Sequence, residues 1–153
     1  MTRLSTIKTA TPQLIATATL AVETAGAGFT EITGDAARFV VEAGADEGAL
    51  LLYLRHTSAS LVIQENADPD VRMDLATALR RLAPDDAGWV HDVEGPDDMP
   101  AHVKAMLTGV SLHIPVTQGS LGLGSWQGIY LIEHRFRPHK REIVLQFLGS
   151  RQG

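Results

Sequence analysis

The chain has 153 residues, no cysteine, and 18 acidic against 13 basic residues, for a formal net charge of −5. This length fits one domain, which buries enough surface to fold without a disulfide or a structural metal. The composition excludes disulfides, thiolate metal sites and cysteine nucleophiles, and the acidic balance argues against a general nucleic-acid binder.

The first predicted element is a strand from about Leu14 to Val22. The segment faintly resembles the apolar part of a secretory signal, but its threonines and the preceding Pro12 favour a strand. No stretch approaches the roughly 20 apolar residues of a membrane span. We therefore expect a cytoplasmic protein with no membrane partner, and the absence of cysteine fits a reducing compartment.

A helix and a buried strand are predicted next. Thr33 is typical of a helix N-cap, and Gly44 stands where a helix commonly ends. The continuous apolar run from Ala49 to Leu54 predicts a strand buried on both faces, and this strand delivers His56 at its end.

Two further helices are marked by their caps. Asp68 before Pro69 predicts a helix that runs to about Ala83, where Pro84 ends it. A loop rich in Gly, Pro and Asp follows, from Ala87 to Met99, and a second capped helix then runs to Gly109.

A short extended piece is predicted at Leu61–Ile63, and three strands complete the chain at Ser111–Val116, Trp126–Arg135 and Glu142–Leu148. The first of these three is followed by a predicted turn at Gln118-Gly119. The order of elements predicts a single α+β domain over residues 1–153, with a mostly antiparallel sheet as its core and helices packed on one side. Neither a GxGxxG nor a GxxxxGK[ST] pattern is present, which argues against nucleotide binding by those devices.

The first of three polar blocks follows the buried strand. His56 leaves that strand into small hydroxyl residues, which suits a metal ligand or a general base. Oxygen-bearing side chains then gather just before a helix N-terminus: Glu65, Asn66, Asp68 and Asp70. The alternative is that Asp68 only caps its helix and the other side chains are solvated.

The second and third blocks carry the other candidates. His102 lies in the first turn of a helix, whose N-terminus favours the neutral ring that binds metals, whereas Asp97 and Asp98 oppose this effect. The alternative for His102 is a surface role. In a regular strand, Glu133 and His134 point to opposite faces. Arg135 offers a fork to phosphate or carboxylate, or else forms a structural ion pair. Three other histidines are expected to be solvent-exposed or on a polar face: His91, His113 and His139.

These blocks closely resemble the YjbQ family. The matching segments are HTSASLVIQENADPDVRMDL from His56, EGPDDMPAHVKAMLTG from Glu94 and GSWQGIYLIEHRFRPHKREIV from Gly124. The resemblance implies a compact β-sheet domain assembled as a homotrimer. It also implies a secondary thiamine-phosphate synthase activity, which joins hydroxymethylpyrimidine diphosphate to thiazole phosphate and releases diphosphate.

Site residues follow from the matching positions. We assign catalytic roles to His56, His102, Glu133 and Arg135. We assign small-molecule substrate binding to Thr57, Ser58, Asn66, Asp68, Trp126 and Arg141. Departing diphosphate must be neutralised by a divalent metal and arginines, with Mg²⁺ at Glu65, Asp68 and Asp70 as one possibility. Three imidazoles suit Zn²⁺ better, and the ligands would then be His56, His102 and His134.

Two other functions remain open from the sequence. One is a zinc-type hydrolase or lyase that acts on an unidentified small molecule, as three imidazoles with an open position would allow. The other is a non-catalytic trimeric protein that binds a small ligand. Measured turnover distinguishes these two, because only the first converts its ligand.

Overall fold

The computed structural model describes residues 1–153 and contains eight strands and three helices. The strands are β1 Leu14–Glu23, β2 Gly28–Glu31, β3 Ala45–Leu54, β4 Ala59–Glu65, β5 Ser111–Thr117, β6 Ser120–Leu121, β7 Gln127–Glu133 and β8 Lys140–Arg151. The helices are α1 Thr33–Glu42, α2 Pro69–Leu82 and α3 Asp98–Thr108. No helix has both the length and the apolar character that crossing a membrane requires.

The strands form two antiparallel sheets. One has five strands in the order β1-β8-β3-β5-β6, and the other has three in the order β2-β7-β4. One apolar core includes buried residues from both sheets, such as Leu52, Phe147 and Leu131, together with Val40 of α1. The predicted α+β class with a mostly antiparallel core is confirmed, and the core is divided between two sheets.

The prediction that β3 is buried on both faces is wrong. Leu50, Leu52 and Leu54 are buried, whereas Ala49 is exposed and Tyr53 retains 48% of its surface. The strand alternates because the five-stranded sheet packs one face on the core and leaves the other face open. A continuous apolar run therefore does not by itself establish a strand covered on both sides.

The predicted start of α2 is confirmed. The Asp68 carboxylate accepts the Asp70 N–H at 2.9 Å, and Pro69 occupies the first helical position. Thr33 is not the cap of α1, because it is already within the helix. Its hydroxyl oxygen instead accepts the Ile129 N–H at 2.9 Å, which ties α1 to β7.

Two short strands were not predicted, namely β2 and β6, and β8 extends beyond its predicted ends. The predicted turn between β5 and β6 is present at Gln118 and Gly119. Both residues have positive φ, of 51° and 74°, as the favoured two-residue hairpin turn requires. α3 packs against β4 and ends just before β5. The first turn of α3 lies beside the end of β7, where Arg135 bonds to Asp98.

Candidate functional site

Arg135, just after β7, fixes the first turn of α3. Its Nε donates to Asp97 Oδ2 at 3.1 Å, and its Nη1 donates to Asp98 Oδ1 at 2.6 Å. Its Nη2 donates to the Glu94 carbonyl at 2.8 Å. The Phe136 N–H also donates to Asp97 Oδ2. Arg135 therefore forms the structural ion pair that was its alternative, with Asp97, which precedes α3, and Asp98, the first residue of α3.

Asp98 holds two histidines at its other oxygen. Its carboxylate is almost fully buried, and Oδ2 lies 2.7 Å from His91 Nε2 and 3.3 Å from His102 Nε2. The three ligand atoms all lie within 4.8 Å of one another. Asp98 and His102 are one helical turn apart on α3, so they lie on one face. His91 reaches them from the preceding loop.

The hydrogen bond on the far side of His102 determines which of its nitrogens carries a proton. Its Nδ1 lies 2.8 Å from the Thr57 carbonyl oxygen, which can only accept, so Nδ1 carries hydrogen. In the neutral ring, Nε2 then carries no hydrogen, and its lone pair faces Asp98 Oδ2 at 3.3 Å. Two acceptors in this position require a cation or a second proton between them.

A surface cleft of about 770 Å³ adjoins this cluster. His56, Thr57 and His102 contribute its polar wall, together with Arg55. The backbone N–H of Arg55 donates to the Glu142 carbonyl, whereas its guanidinium has no hydrogen-bond or ion-pair partner in the chain. Apolar side chains of β3 and α3 form the rest, including Leu54 and Met106. The structure therefore brings two of the predicted catalytic histidines, His56 and His102, to this one cleft.

His56 is held as a neutral ring. Its Nε2 accepts the Glu142 N–H at 2.9 Å, so the proton of the neutral form is on Nδ1. Burial lowers the pKa of His56, and the nearby Arg141 lowers it further. Its Nδ1 lies 3.5 Å from Arg141 Nη1, which can only donate, so no group of the chain accepts the Nδ1–H and His56 can donate it to a ligand oxygen.

Glu133 and Arg141 form a buried ion pair beside His56. Arg141 donates two hydrogen bonds to the Glu133 carboxylate and another to Ser58 Oγ at 3.0 Å, while Thr24 donates to Glu133 at 2.9 Å. Burial would raise the pKa of Glu133, but the bonds from Arg141 and the Arg135 N–H outweigh it and lower the pKa. Glu133, Arg141 and Ser58 thus bond to one another, are at most 9% exposed, and do not line the cleft beside His102.

His134 points away from that pair, as the strand alternation predicts. It is 3% exposed, and its Nε2 lies 2.8 Å from Ser60 Oγ. Burial lowers its pKa to about 4, with a contribution from the charge of Lys104. His134 is therefore neutral at physiological pH.

The predicted ligand set of His56, His102 and His134 does not assemble within this chain, because each ring is held by a different partner. The group that assembles is His91, Asp98 and His102. His91 was expected to be solvent-exposed, and this is confirmed, because its side chain is 47% exposed. The i, i+4 spacing of Asp98 and His102 was the one sequence signal for this group, and it did not include His91.

The remaining predicted substrate-binding residues lie elsewhere. Asp68 caps α2, and Asn66 donates to Glu31 at 3.3 Å. Trp126 is 65% exposed before β7. None of the three lines the cleft beside His102.

The Glu133–Arg141 pair generates a stability prediction. Glu133→Gln leaves Arg141 buried without its counter-charge, so we expect the free energy of unfolding at neutral pH to fall by about 3 kcal/mol. The folded-state pKa of Glu133 is lowered, so its contribution is complete above the unfolded value of about 4.3 and disappears as pH falls through the folded value. The difference between wild type and variant should therefore shrink in acid.

Urea denaturation at neutral and acid pH measures both effects. Glu23→Gln is the matched control, because Glu23 is exposed and its side chain has no partner; its effect should stay within about 0.5 kcal/mol. A difference between Glu133→Gln and wild type that is constant with pH would contradict this account.

Comparisons with known proteins agree with one another. The family model for UPF0047 protein YjbQ-like matches residues 18–150. The chain is 47% identical over 132 residues to a UPF0047 protein of Synechocystis, an alignment that covers 86% of this chain and 90% of the relative. It is 50% identical over 105 residues to the UPF0047 protein YjbQ of Salmonella typhimurium, covering 69% and 76%.

Solved structures show the same fold. A hypothetical protein of Aeropyrum pernix superposes with a TM-score of 0.82 at 29% identity, covering 88% of this chain and 99% of that one. An uncharacterised yjbq/upf0047 family protein of Clostridium acetobutylicum gives 0.80 at 35% identity, covering 85% and 98%. The sequence and structural matches thus cover the two sheets and all three helices, and the chain belongs to the YjbQ (UPF0047) family.

Proposed function

We propose that this chain is a metal-dependent enzyme, a zinc-type hydrolase or lyase, that acts on a small molecule in the cleft beside His102. One observation carries the proposal. His102 Nε2 and Asp98 Oδ2 face each other at 3.3 Å while the Thr57 carbonyl holds the proton of His102 on Nδ1. This arrangement leaves room for a cation between two acceptors.

The donor set fits zinc. A tetrahedral ion with bonds of about 2.0–2.2 Å holds its ligand atoms roughly 3.3–3.6 Å apart. The His102–Asp98 separation already has this value, and the half-exposed His91 has only to move outward from 2.7 Å. Two imidazoles and one carboxylate favour zinc or another transition ion over magnesium.

The surrounding groups also fit a metal centre. Ligating histidines usually donate their second N–H to a carbonyl, as His102 does to Thr57. Ligating carboxylates are usually held by a further hydrogen bond, and Arg135 supplies it to Asp98 at 2.6 Å. Three protein ligands leave a fourth position open towards substrate.

The residues of the cleft then have separate roles. A bound zinc ion supplies a Lewis acid that polarises an oxygen of the substrate. The Nδ1–H of His56 orients a second oxygen by a hydrogen bond. The apolar wall formed by Leu54 and Met106 excludes water from the non-reacting part of the substrate.

Metal binding is the first test. We expect metal-free wild type to bind about one Zn²⁺ per chain in calorimetry, and His91→Ala to weaken this binding by at least about tenfold. His91 is the most exposed of the three ligands, so its replacement spares the fold. His113→Ala is the control, because His113 lies exposed on β5 without a partner.

The outcomes separate the alternatives. Equal zinc affinity in His91→Ala and His113→Ala would contradict the proposal. Zinc and small-molecule binding without turnover of any ester, amide or phosphate-ester substrate would favour the non-catalytic ligand-binding function.

We also propose thiamine-phosphate synthase-type condensation as a second candidate, on the strength of family resemblance and one feature of the cleft. Arg135 and Arg141, which were expected to hold phosphate, are both engaged in ion pairs. Arg55 lines the same cleft as His56 and His102, is exposed and has no partner. It is therefore the residue available to neutralise a departing diphosphate.

The condensation is tested with purified protein, Mg²⁺, hydroxymethylpyrimidine diphosphate and thiazole phosphate, with thiamine phosphate detected as its fluorescent oxidation product. We expect Arg55→Ala to lower the rate by roughly 10²-fold, since removal of one charge-stabilising donor has this effect. Arg81→Ala, an exposed change at the end of α2, should leave the rate unchanged. Absence of product from wild type at high protein concentration would eliminate this candidate.

We further propose that the protein is a cytoplasmic homotrimer, as family resemblance implies. The open face of the five-stranded sheet supports self-association, because neighbouring strands expose Ile15, Tyr53 and Leu148 on it, at 68%, 48% and 53%. Apolar side chains grouped in this way are typical of a protein interface.

Light scattering coupled to size exclusion measures the assembly. We expect a mass near three times the 16.5 kDa of the chain. Leu148→Asp should reduce this mass, because it places a charge in the contact, whereas Lys140→Asp, at the exposed start of β8, should not. A monomeric wild type at micromolar concentration would contradict the proposal.

A further inference from the structure

A second, smaller hollow lies on the opposite side of α3 from the cleft. It has a volume of about 100 Å³, which is enough for a few waters. Residues of β2, α2, α3 and the end of β7 line it, and the polar ones are Arg80, Lys104, Glu133 and His134. Lys104 follows His102 by two positions, or about 200° around the helix, so the two side chains point in nearly opposite directions.

Lys104 is the unusual group in this hollow. The residue is only 7% exposed, yet its ammonium group has no hydrogen bond and no salt bridge in the chain. Asp85 and Asp97 act on it only at long range, because neither lies within 4.0 Å. The Nζ atom itself is not sealed, since Glu65 Oε2 is the one fully buried side-chain nitrogen or oxygen without a hydrogen-bond partner. The ammonium group therefore faces the open space of the hollow, and a largely buried cation without a paired anion is rare.

The other polar groups do not neutralise Lys104. Glu133 is the one acidic residue that lines the hollow, and its carboxylate is already paired with Arg141 and bonded by Thr24. His134 is neutral and bonded to Ser60. Arg80 adds a second positive charge, and its only bond is to the neutral Thr77 hydroxyl, at 2.9 Å.

We propose that this hollow is a binding site for a small oxyanion, a phosphate or a carboxylate group, with Lys104 as its central cation and Arg80 at its mouth. Two uncompensated positive charges and a space the size of a few waters suit one such group. The site uses none of His91, Asp98 and His102, so it is independent of the proposed metal centre.

The test uses inorganic phosphate and acetate as probes, with chelator-treated protein in calorimetry. We expect saturable binding of at least one anion to wild type. Lys104→Met should weaken it by at least about tenfold, because a charge-assisted bond is lost. Lys140→Met is the control, because Lys140 is exposed at the start of β8. Tighter binding of phosphate identifies a phosphate-bearing ligand, and tighter binding of acetate identifies a carboxylate.

Three results would overturn the proposal: no saturable binding of either anion, full affinity in Lys104→Met, or loss of affinity in His91→Ala, which would place the anion at the metal ligands. Circular dichroism reports whether Lys104→Met folds. If it does not, Arg80→Ala decides, because Arg80 is exposed and its removal spares the fold. Weaker binding in that variant supports the site, and unchanged binding overturns it.

Discussion

The salt bridges from Arg135 to Asp97 and Asp98 are the contact on which the candidate site depends. They join the end of β7 to the first turn of α3 and hold one oxygen of Asp98. The other oxygen is then presented to both His91 and His102. Because Asp98 is buried, its charge is costly unless Arg135 compensates it. The arginine thus positions the carboxylate, and through it the two histidines.

Helix α3 separates two polar regions with different chemistry. On one side, His102 faces a wide cleft that also contains His56 and Arg55. On the other side, Lys104 faces a smaller hollow lined by His134 and Arg80. The buried pair of Glu133 and Arg141 adjoins both regions, since Glu133 lines the hollow and Arg141 lies beside His56. A single short helix therefore supplies Asp98 and His102 to the proposed metal site and Lys104 to the proposed anion site.

Local signals in the sequence predicted much of the fold. The start of α2 was predictable because Asp68 and Pro69 act on their own helix end, and the turn at Gln118–Gly119 was predictable for a similar reason. The pairing of side chains was not, because it depends on distant elements. Arg135 was expected to hold phosphate, yet it reaches acidic residues 37 and 38 positions earlier. His91 was correctly placed in a loop, but its contact with Asp98 was not predicted, because nothing near it in sequence shows that the loop folds back.

The most direct measurement of the central claim is X-ray absorption spectroscopy at the zinc edge of the zinc-loaded protein. Our account predicts a first shell of nitrogen and oxygen at about 2.0–2.2 Å with outer-shell scattering from two imidazoles. It also predicts that one imidazole is lost in His91→Ala. A spectrum of three imidazoles that His91→Ala leaves unchanged, or of a fully hydrated ion, would contradict a centre built from His91, Asp98 and His102.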